Sequence, residues 1–297
     1  MRYRPIIFSV LISMLLFAVP MSLCAEEKAT MAADNISYNI NTKKAKASGN
    51  VVITKEGATL WGDAADGNVE TSEFNLRGNV RGKFPQKNAD LIAESLKWKK
   101  AANDKNGIIE AFVNVRLTRG SADRLNAQYV RWESGTENYR ARGRVDAVSL
   151  GKVIKAEEVG RLNGKFWGRK VTRYEDKTKN ISLAADVVDG ELRGDHIKEV
   201  IASGSVVIDY IDKAGLKTVV KGNKAVYSKE RGTVVISGSA SAVRSDGKVV
   251  TADSLVLYEE TKNIEAIGRS KLTFDLPPSK DKEKNNDKPA VKSDGGR

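Results

Sequence analysis

Apolar and polar residues alternate along most of the chain after the first thirty residues. In KAKASGNVVI, residues 44–53, the apolar side chains of Ala45, Ala47, Val51 and Ile53 share one parity and the polar side chains share the other. This period of two is typical of half-buried β-strands. The segment 91–102 includes a run that could form one helical turn, but it also alternates with period two. The pattern therefore predicts an all-β protein without significant helix in this region.

The alternating segments form a repeat of roughly thirty residues, which consists of a strand, a polar turn and a second strand. The dipeptide Ala-Asp marks the start of several units, with the Asp at positions 34, 90, 123, 186 and 253. A glycine follows fifteen residues after Asp34, Asp63, Asn223 and Asp253, and we expect turn insertions to lengthen this step after Asp123 and Asp186. Eight units predict about fifteen or sixteen strands, and Asp at the repeat starts is expected to cap turns.

The glycines of the repeat fall in the middle of predicted strands, at the parity of the apolar side chains. They are Gly49, Gly78, Gly143, Gly204, Gly238 and Gly268. Because a glycine weakens a strand but lets it bend or lets another group approach closely, we expect these residues to curve the sheet. The opposite parity is polar and often basic. The pattern leaves two interpretations open: a solid β-sandwich core, or a hollow apolar groove that holds a ligand.

The predicted organisation has three parts. Residues 1–25 are a signal peptide, residues 30–276 are the β-repeats, and residues 277–297 form a polar tail that is expected to be disordered. The repeat is weak over 151–181, which predicts an irregular junction and allows two lobes, 30–150 and 182–276.

The first residues have the three parts of a secretory signal: Arg2 and Arg4, an apolar run over residues 6–19, and small residues before Glu26. We expect cleavage near Ala25, which places the mature protein outside the cytoplasm. Two alternatives are an uncleaved anchor and lipid modification of Cys24, although Leu23 is a poor match to a lipoprotein signal. Cys24 is the only cysteine, so cleavage leaves a domain without disulfides.

Charge and candidate chemistry narrow the classes of function. The formal net charge is +12, which favours anionic partners, but a secretion signal argues against nucleic acid. His196 is the only histidine, and no His/Cys cluster, EF-hand loop or phosphate-binding loop is present. We therefore predict no catalytic residues, no metal and no cofactor.

Three repeats carry a family resemblance: ADNISYNINTKKAKASGNVVI (33–53), NKAVYSKERGTVVISGSASAV (223–243) and ADSLVLYEETKNIEAIGRSKL (252–272). They resemble the OstA-like family of periplasmic lipopolysaccharide-transport proteins, which includes LptA, LptC and the N-terminal domain of LptD. The resemblance implies an open, V-shaped antiparallel β-jellyroll. It also implies an apolar interior that shields the acyl chains of lipid A while lipopolysaccharide moves from the inner to the outer membrane.

The resemblance further implies that inward aliphatic side chains bind the lipid. By position these are Val51, Ile53, Leu76, Val80, Val113, Val115, Val206, Ile208, Ile236, Leu255 and Leu272. The implied partners are lipopolysaccharide, other Lpt-type proteins or further copies joined through edge strands, and indirectly an inner-membrane ABC transporter. Open terminal edges also follow from the repeat itself. The alternative hypothesis is a β-repeat scaffold of the cell envelope that binds no lipid.

Overall fold

The computed structural model describes residues 29–55, 57–100, 107–133, 136, 138–193, 196–212, 214–261 and 263–275. The predicted signal peptide and polar tail lie outside these residues. The strands are β1 (Thr30–Ala32), β2 (Asn35–Asn39), β3 (Lys44–Lys55), β4 (Ala58–Asn68), β5 (Glu73–Phe84), β6 (Ala89–Lys100), β7 (Gly107–Arg119), β8 (Asp123–Glu133), β9 (Tyr139–Ser149), β10 (Lys152–Leu162), β11 (Lys165–Asp176), β12 (Ile181–Arg193), β13 (His196–Ile211), β14 (Lys217–Ser228), β15 (Thr233–Arg244), β16 (Val249–Tyr258), β17 (Ile264–Ile267) and β18 (Lys271–Thr273).

The strands form one antiparallel meander. Each strand from β3 to β16 pairs with the strand that follows it in the chain. β1 and β2 both pair with β3, and β17 and β18 both pair with β16, so each pair forms one interrupted edge strand. The sheet therefore has sixteen strand positions, and the prediction of an open all-β roll of about fifteen or sixteen strands is confirmed.

Helix contributes almost nothing to the described residues. A single 3₁₀ turn, Pro85–Lys87, connects β5 to β6. The segment 91–102, which could also have formed a helical turn, begins inside β6. This confirms the strand that its period of two predicts. Within the part of the chain that the structure describes, no helix has the length and apolar character needed to cross a bilayer.

Residues 151–181, where an irregular junction was expected, continue the sheet through β10 and β11 without a break in pairing. Glycines in or near this segment are explained by the side chains or turns beside them. Gly160 lies opposite Trp167, whose indole occupies the space a Cβ would need, and Phe166 does the same at Gly190. Gly164 turns the β10–β11 hairpin with φ +77°. Small residues here make room for aromatic side chains on the neighbouring strand.

A row of β-bulges crosses the sheet at mid-strand. In β3, two residues, Gly49 and Asn50, face only Asp63 of β4, and both have left-handed backbone conformations (φ +76° and +47°). The same arrangement of two consecutive left-handed residues recurs in β5, β7, β9, β13 and β15. An extra residue of this kind bends the strand and increases its twist. We call this line of bulges the bulge row.

The repeated spacing of Asp and Gly in the sequence corresponds to a contact between these two residues across the bulge row. The Asp63 carboxylate lies against Gly78 of the next strand, where a Cβ would overlap it, and it accepts a hydrogen bond from Asn79 Nδ2 at 2.8 Å. Asp34 and Asp253 make the equivalent contacts. Glycine is required at Gly78 both for its φ of +74° and for the space that the carboxylate occupies.

Three expectations about these residues are wrong. The repeat aspartates do not cap turns, because Asp63, Asp186 and Asp253 lie inside strands. The glycines are not directed at the apolar face, because the left-handed conformation aims their Cα hydrogen at an exposed carboxylate or amide. Gly143 is covered by Gln128, again fifteen residues earlier, rather than by Asp123. The Asp186 carboxylate does lie against Gly204, although these residues are further apart in the sequence.

The sheet folds along the bulge row into two facing layers. Alternate hairpin turns lie on two rims: the first rim includes turns 40–43, 69–72, 229–232 and 259–263, and the second includes 57, 85–88, 120–122, 150–151 and 177–180. Side chains meet across the gap between the rims: Lys55 Nζ lies 4.9 Å from the Trp98 ring centroid, and the Phe84 and Trp132 rings are 6.5 Å apart. In both contacts the second-rim residue meets a residue three strands further along the chain.

The bulge row gives a direct test of the cross-strand carboxylate. Gly78→Ala places a Cβ against Asp63, whereas Gly232→Ala imposes the same left-handed strain (φ +59°) with no atom within 4 Å. We expect Gly232→Ala to destabilise the fold by about 1–2 kcal/mol. Gly78→Ala should cost about 1–3 kcal/mol more because of the overlap, measured by urea unfolding. Asp63→Ala in the Gly78→Ala background should recover part of the difference. Equal costs at the two glycines would contradict this account.

Candidate functional site

A cavity of about 770 Å³ lies between the two layers in the first half of the roll, which comprises β1 to β8. The strands β9 to β18 form the second half. Its floor is formed by inner-face residues of β3 to β7, among them Ala45, Ile53 and Leu76. Both rims contribute walls, with Val69 and Ser72 from the first rim and residues 85–87 from the second. This volume lies within the usual range for small-molecule sites, which are mainly apolar and carry few polar groups.

Aromatic side chains surround the opening of this cavity. Phe74, Phe84, Trp98 and Trp132 all line it. They lie near the ends of their strands, where the layers are furthest from the bulge row. The Phe84–Trp132 pair is T-shaped, with an interplanar angle of 78°. The aromatic rings therefore surround the opening with apolar surface.

Two lysines lie at the opening of the cavity. Lys55 and Lys87 both line the cavity, and the Lys55 ammonium sits over the face of Trp98. An apolar interior with ammonium groups at its entrance suits a ligand with an apolar chain and an anionic group. Sequence analysis missed these residues, although three of the four tryptophans fall between residues 61 and 132 in a chain with few aromatics.

The residues predicted to bind lipid divide into three groups. Ile53 and Leu76 line the cavity. Seven others are buried in a packed core with at most 2% of their surface exposed: Val51, Val80, Val115, Val206, Ile208, Ile236 and Leu255. The two interpretations of the apolar face thus both apply, with a cavity in the first half of the roll and a closed core elsewhere.

Val113 and Leu272 belong to neither group. Val113 takes the place of the bulge glycine in β7, with φ +63°, and is 40% exposed, so its predicted inward position is wrong. Leu272 lies opposite Val250, which in turn lies opposite the buried Ala242, and directly opposed residues share a face of the sheet. Leu272 is nevertheless 58% exposed, because no further strand covers the inner face at this end.

Both ends of the roll expose their inner face. At the first end, Ile36 and Tyr38 of β2 lie opposite Ala47 and Ala45, line the cavity and are about half exposed. At the last end, Leu272 and Phe274 are exposed in the same way. The apolar interior therefore reaches both terminal edges of the sheet.

The outer face is polar and basic, as the alternation predicts. Arg142 stacks on Tyr129 with its Cζ 4.4 Å from the ring centroid, and the Tyr129 ring is 5.2 Å from that of Phe112. Tyr129 Oη donates to Glu110 Oε1 at 2.6 Å. Burial and this hydrogen bond raise the pKa of Tyr129 to about 12. These contacts connect β7, β8 and β9 on the outer face of the sheet.

No catalytic arrangement is found among the described residues. His196 is the first residue of β13 and is exposed. In the described ranges, no group of three or more His, Cys, Asp or Glu side chains is placed to hold a metal ion.

Residues 22–84 match the family model described as lipopolysaccharide-assembly, LptC-related. The resemblance to lipopolysaccharide-transport proteins is confirmed for this segment. It contains β1 to β5, and therefore much of the cavity floor and part of both rims.

No curated protein sequence matches the chain. Among solved structures, the chain is similar to LptH, the LptA-homologous periplasmic component of the lipopolysaccharide transport device from Pseudomonas aeruginosa. The identity is 13%, the TM-score is 0.29, and the alignment covers 52% of this chain and 95% of LptH.

The tryptophans provide a label-free test of cavity occupancy. Because Trp98 and Trp132 line the cavity and Trp167 packs on the outer face against Glu158, we expect an amphiphile such as lauric acid to change the intrinsic fluorescence through the first two. Trp98→Phe and Trp132→Phe should together remove most of the change, and Trp167→Phe should leave it intact. An unchanged response in the Trp98→Phe/Trp132→Phe variant would show that the amphiphile binds elsewhere.

Proposed function

We propose that this protein is a non-enzymatic, periplasmic lipid-binding conduit of the lipopolysaccharide-transport type. The cavity carries the proposal: it is apolar, lies between the two layers of the roll and has two lysines at its opening. The family-model match over residues 22–84 supports the same function, because the matched strands build this site.

The mechanism we propose is passive shielding. Each methylene that an acyl chain transfers from water into the cavity contributes roughly 0.8 kcal/mol. Anionic groups of the lipid remain at the opening, where Lys55 and Lys87 favour them electrostatically. The chain has no phosphate-binding loop in its sequence, so directional movement depends on a partner. We propose an inner-membrane ABC transporter complex in that role, acting indirectly.

The exposed inner faces at both ends support assembly into a bridge between the membranes. A terminal strand has unpaired N–H and C=O groups on its free side, and a second chain that pairs with it extends the sheet. Here such pairing also covers Leu272 and Phe274 at one end, or Ile36 and Tyr38 at the other. We propose that other Lpt-type proteins or further copies of this chain occupy these edges.

The second candidate is a scaffold that holds no lipid. The packed core of the second half of the roll favours it, since Val206, Ile208 and Ile236 are buried as in an ordinary β-sandwich. Under this hypothesis the cavity is a local packing defect and the edges carry the function.

Photo-crosslinking separates the two candidates. p-Benzoylphenylalanine replaces Phe74, which lines the cavity, or Phe112, a matched aromatic position on the outer face of the same half. In cells that make lipopolysaccharide, we expect an adduct from position 74 and none from position 112. An exported, folded protein without an adduct at position 74 would overturn the conduit and favour the scaffold.

Edge assembly has its own test. Leu272→Lys places a charge on the exposed inner face of β18, and lysine on an edge strand opposes pairing. We expect weaker self-association, or weaker association with an Lpt-type partner, in sedimentation velocity. Val113→Lys is the control, because it adds the same charge at an exposed valine in the middle of the sheet. Equal effects of the two substitutions would indicate a general effect of charge rather than an edge interface.

A further inference from the structure

A cluster of polar and charged side chains spans the gap between the rims in the second half of the roll. Asp176 ends β11 and Lys179 follows in the second-rim turn, whereas Tyr227 and Glu259 lie on the first rim, at the ends of β14 and β16. Asp176 is 0% and Glu259 4% exposed, and the Lys179 side chain is 16% exposed. We call Asp176, Lys179, Tyr227 and Glu259 the polar rim cluster.

The contacts of the cluster connect its members on each rim. Tyr227 Oη donates to Glu259 Oε2 at 3.1 Å, and Lys179 Nζ lies 3.9 Å from Asp176 Oδ2. The Thr178 backbone N–H and hydroxyl donate to Asp176 Oδ1 at 3.0 and 2.6 Å. These bonds fix the two carboxylates in the closed arrangement.

The two rims also interact electrostatically with each other. Burial lowers the pKa of Lys179, and Asp176 opposes that shift. Glu259, on the first rim, also raises the pKa of Lys179, and Lys229 of the same rim lowers it. The three-strand offset that brings Lys55 to Trp98 also places the second-rim end of β11 against the first-rim end of β14, and Asp176 and Glu259 are both buried at these ends.

The apolar side chains between the layers in this half are closed off from solvent. Near both rims they are buried: Ile154, Tyr174, Leu183, Val220, Val234 and Leu257. In the first half, by contrast, an aromatic pair and a cation–π contact bridge the rims above the cavity. The two halves thus differ both in what fills them and in what joins their rims.

The free energy needed to separate the rims depends on whether apolar or charged groups join them. Opening an apolar seam exposes apolar surface to water, which is unfavourable in proportion to its area. When buried charged groups separate, they regain hydration, which offsets much of the interaction they lose. A charged seam therefore adds little to the cost of opening, although removing one partner leaves the other buried without compensation.

We propose that the polar rim cluster is a reversible closure, which joins the rims of the second half of the roll at rest and separates when an acyl chain of an anionic amphiphile advances from the cavity. This inference rests on the proposed function for the identity of the amphiphile. It assigns the two halves different states, the first open to the ligand at rest and the second opened only when the cluster separates.

Thiol accessibility tests the closure without any ligand. In a Cys24→Ser chain, Val220→Cys reports on the closed half and Ile53→Cys on the cavity, with N-ethylmaleimide as the reagent. We expect Glu259→Gln or Lys179→Met to speed modification of Val220→Cys about tenfold or more, since either change removes a charge that stabilises an opposite charge in the buried cluster. The rate at Ile53→Cys should not change.

Two further variants keep this test decisive. Asp189→Asn is the matched control, because it removes a carboxylate from an exposed pair, Arg169 Nη2–Asp189 Oδ1 at 2.8 Å, in the same half. Tyr227→Phe deletes only the hydroxyl that donates to Glu259, and it should speed modification of Val220→Cys less than Glu259→Gln does while the fold is kept. Unchanged rates at Val220→Cys in all three cluster variants would overturn the closure, as would an equal increase in Asp189→Asn or a parallel increase at Ile53→Cys.

Purified lipopolysaccharide distinguishes the closure from the proposed function. Protection of Ile53→Cys in every variant supports the proposed function, and added protection of Val220→Cys in the cluster variants supports entry into the second half. Protection of Ile53→Cys without protection of an opened Val220→Cys would overturn entry into this half. If lipopolysaccharide protects neither thiol, the proposed function and lipid entry both fail, and the unliganded rates alone decide the closure.

Discussion

The fold depends on how a β-strand of about twelve residues bends in the middle without losing its partner on either side. The bulge row provides the bend, because two left-handed residues on one strand oppose a single residue on the next. The outward carboxylate or amide fills the space beside the bulge, and the carboxylates of Asp34, Asp63 and Asp253 also accept a hydrogen bond from the residue that follows the glycine. The same bulge recurs at corresponding positions across the sheet, so the whole sheet bends along the bulge row. The two parts of its inner apolar face then pack against each other.

The closure of this face explains why one sequence pattern produces two interiors. In the second half the layers close on a packed core that includes large side chains such as Phe166, Tyr174 and Leu257. In the first half, Phe74, Trp98 and Trp132 lie near the rims and line the cavity together with smaller residues such as Ala45 and Ala89. The alternation is the same in both halves, so it does not by itself determine where a cavity remains.

Alternation predicted the strands, their number and the division into an apolar and a polar face, because it depends only on neighbouring residues. It did not predict the exposure of Val113, because a β-branched residue with positive φ is rare and its neighbours give no sign of it. The aspartates were misplaced in turns because their partners lie on the next strand. The aromatic border of the cavity was missed because it depends on which rim positions meet after folding, a long-range property that period two does not contain.

The offset between the rims has a consequence for the ends of the molecule. A residue on the second rim meets a first-rim residue three strands further along, as Lys55 meets Trp98 and Phe84 meets Trp132. The two layers are therefore offset from each other along the roll, and at each end one layer extends beyond the other. A chain that continues the sheet has to overlap this one by several strands, so that each junction in such an assembly is itself a stretch of two-layered wall.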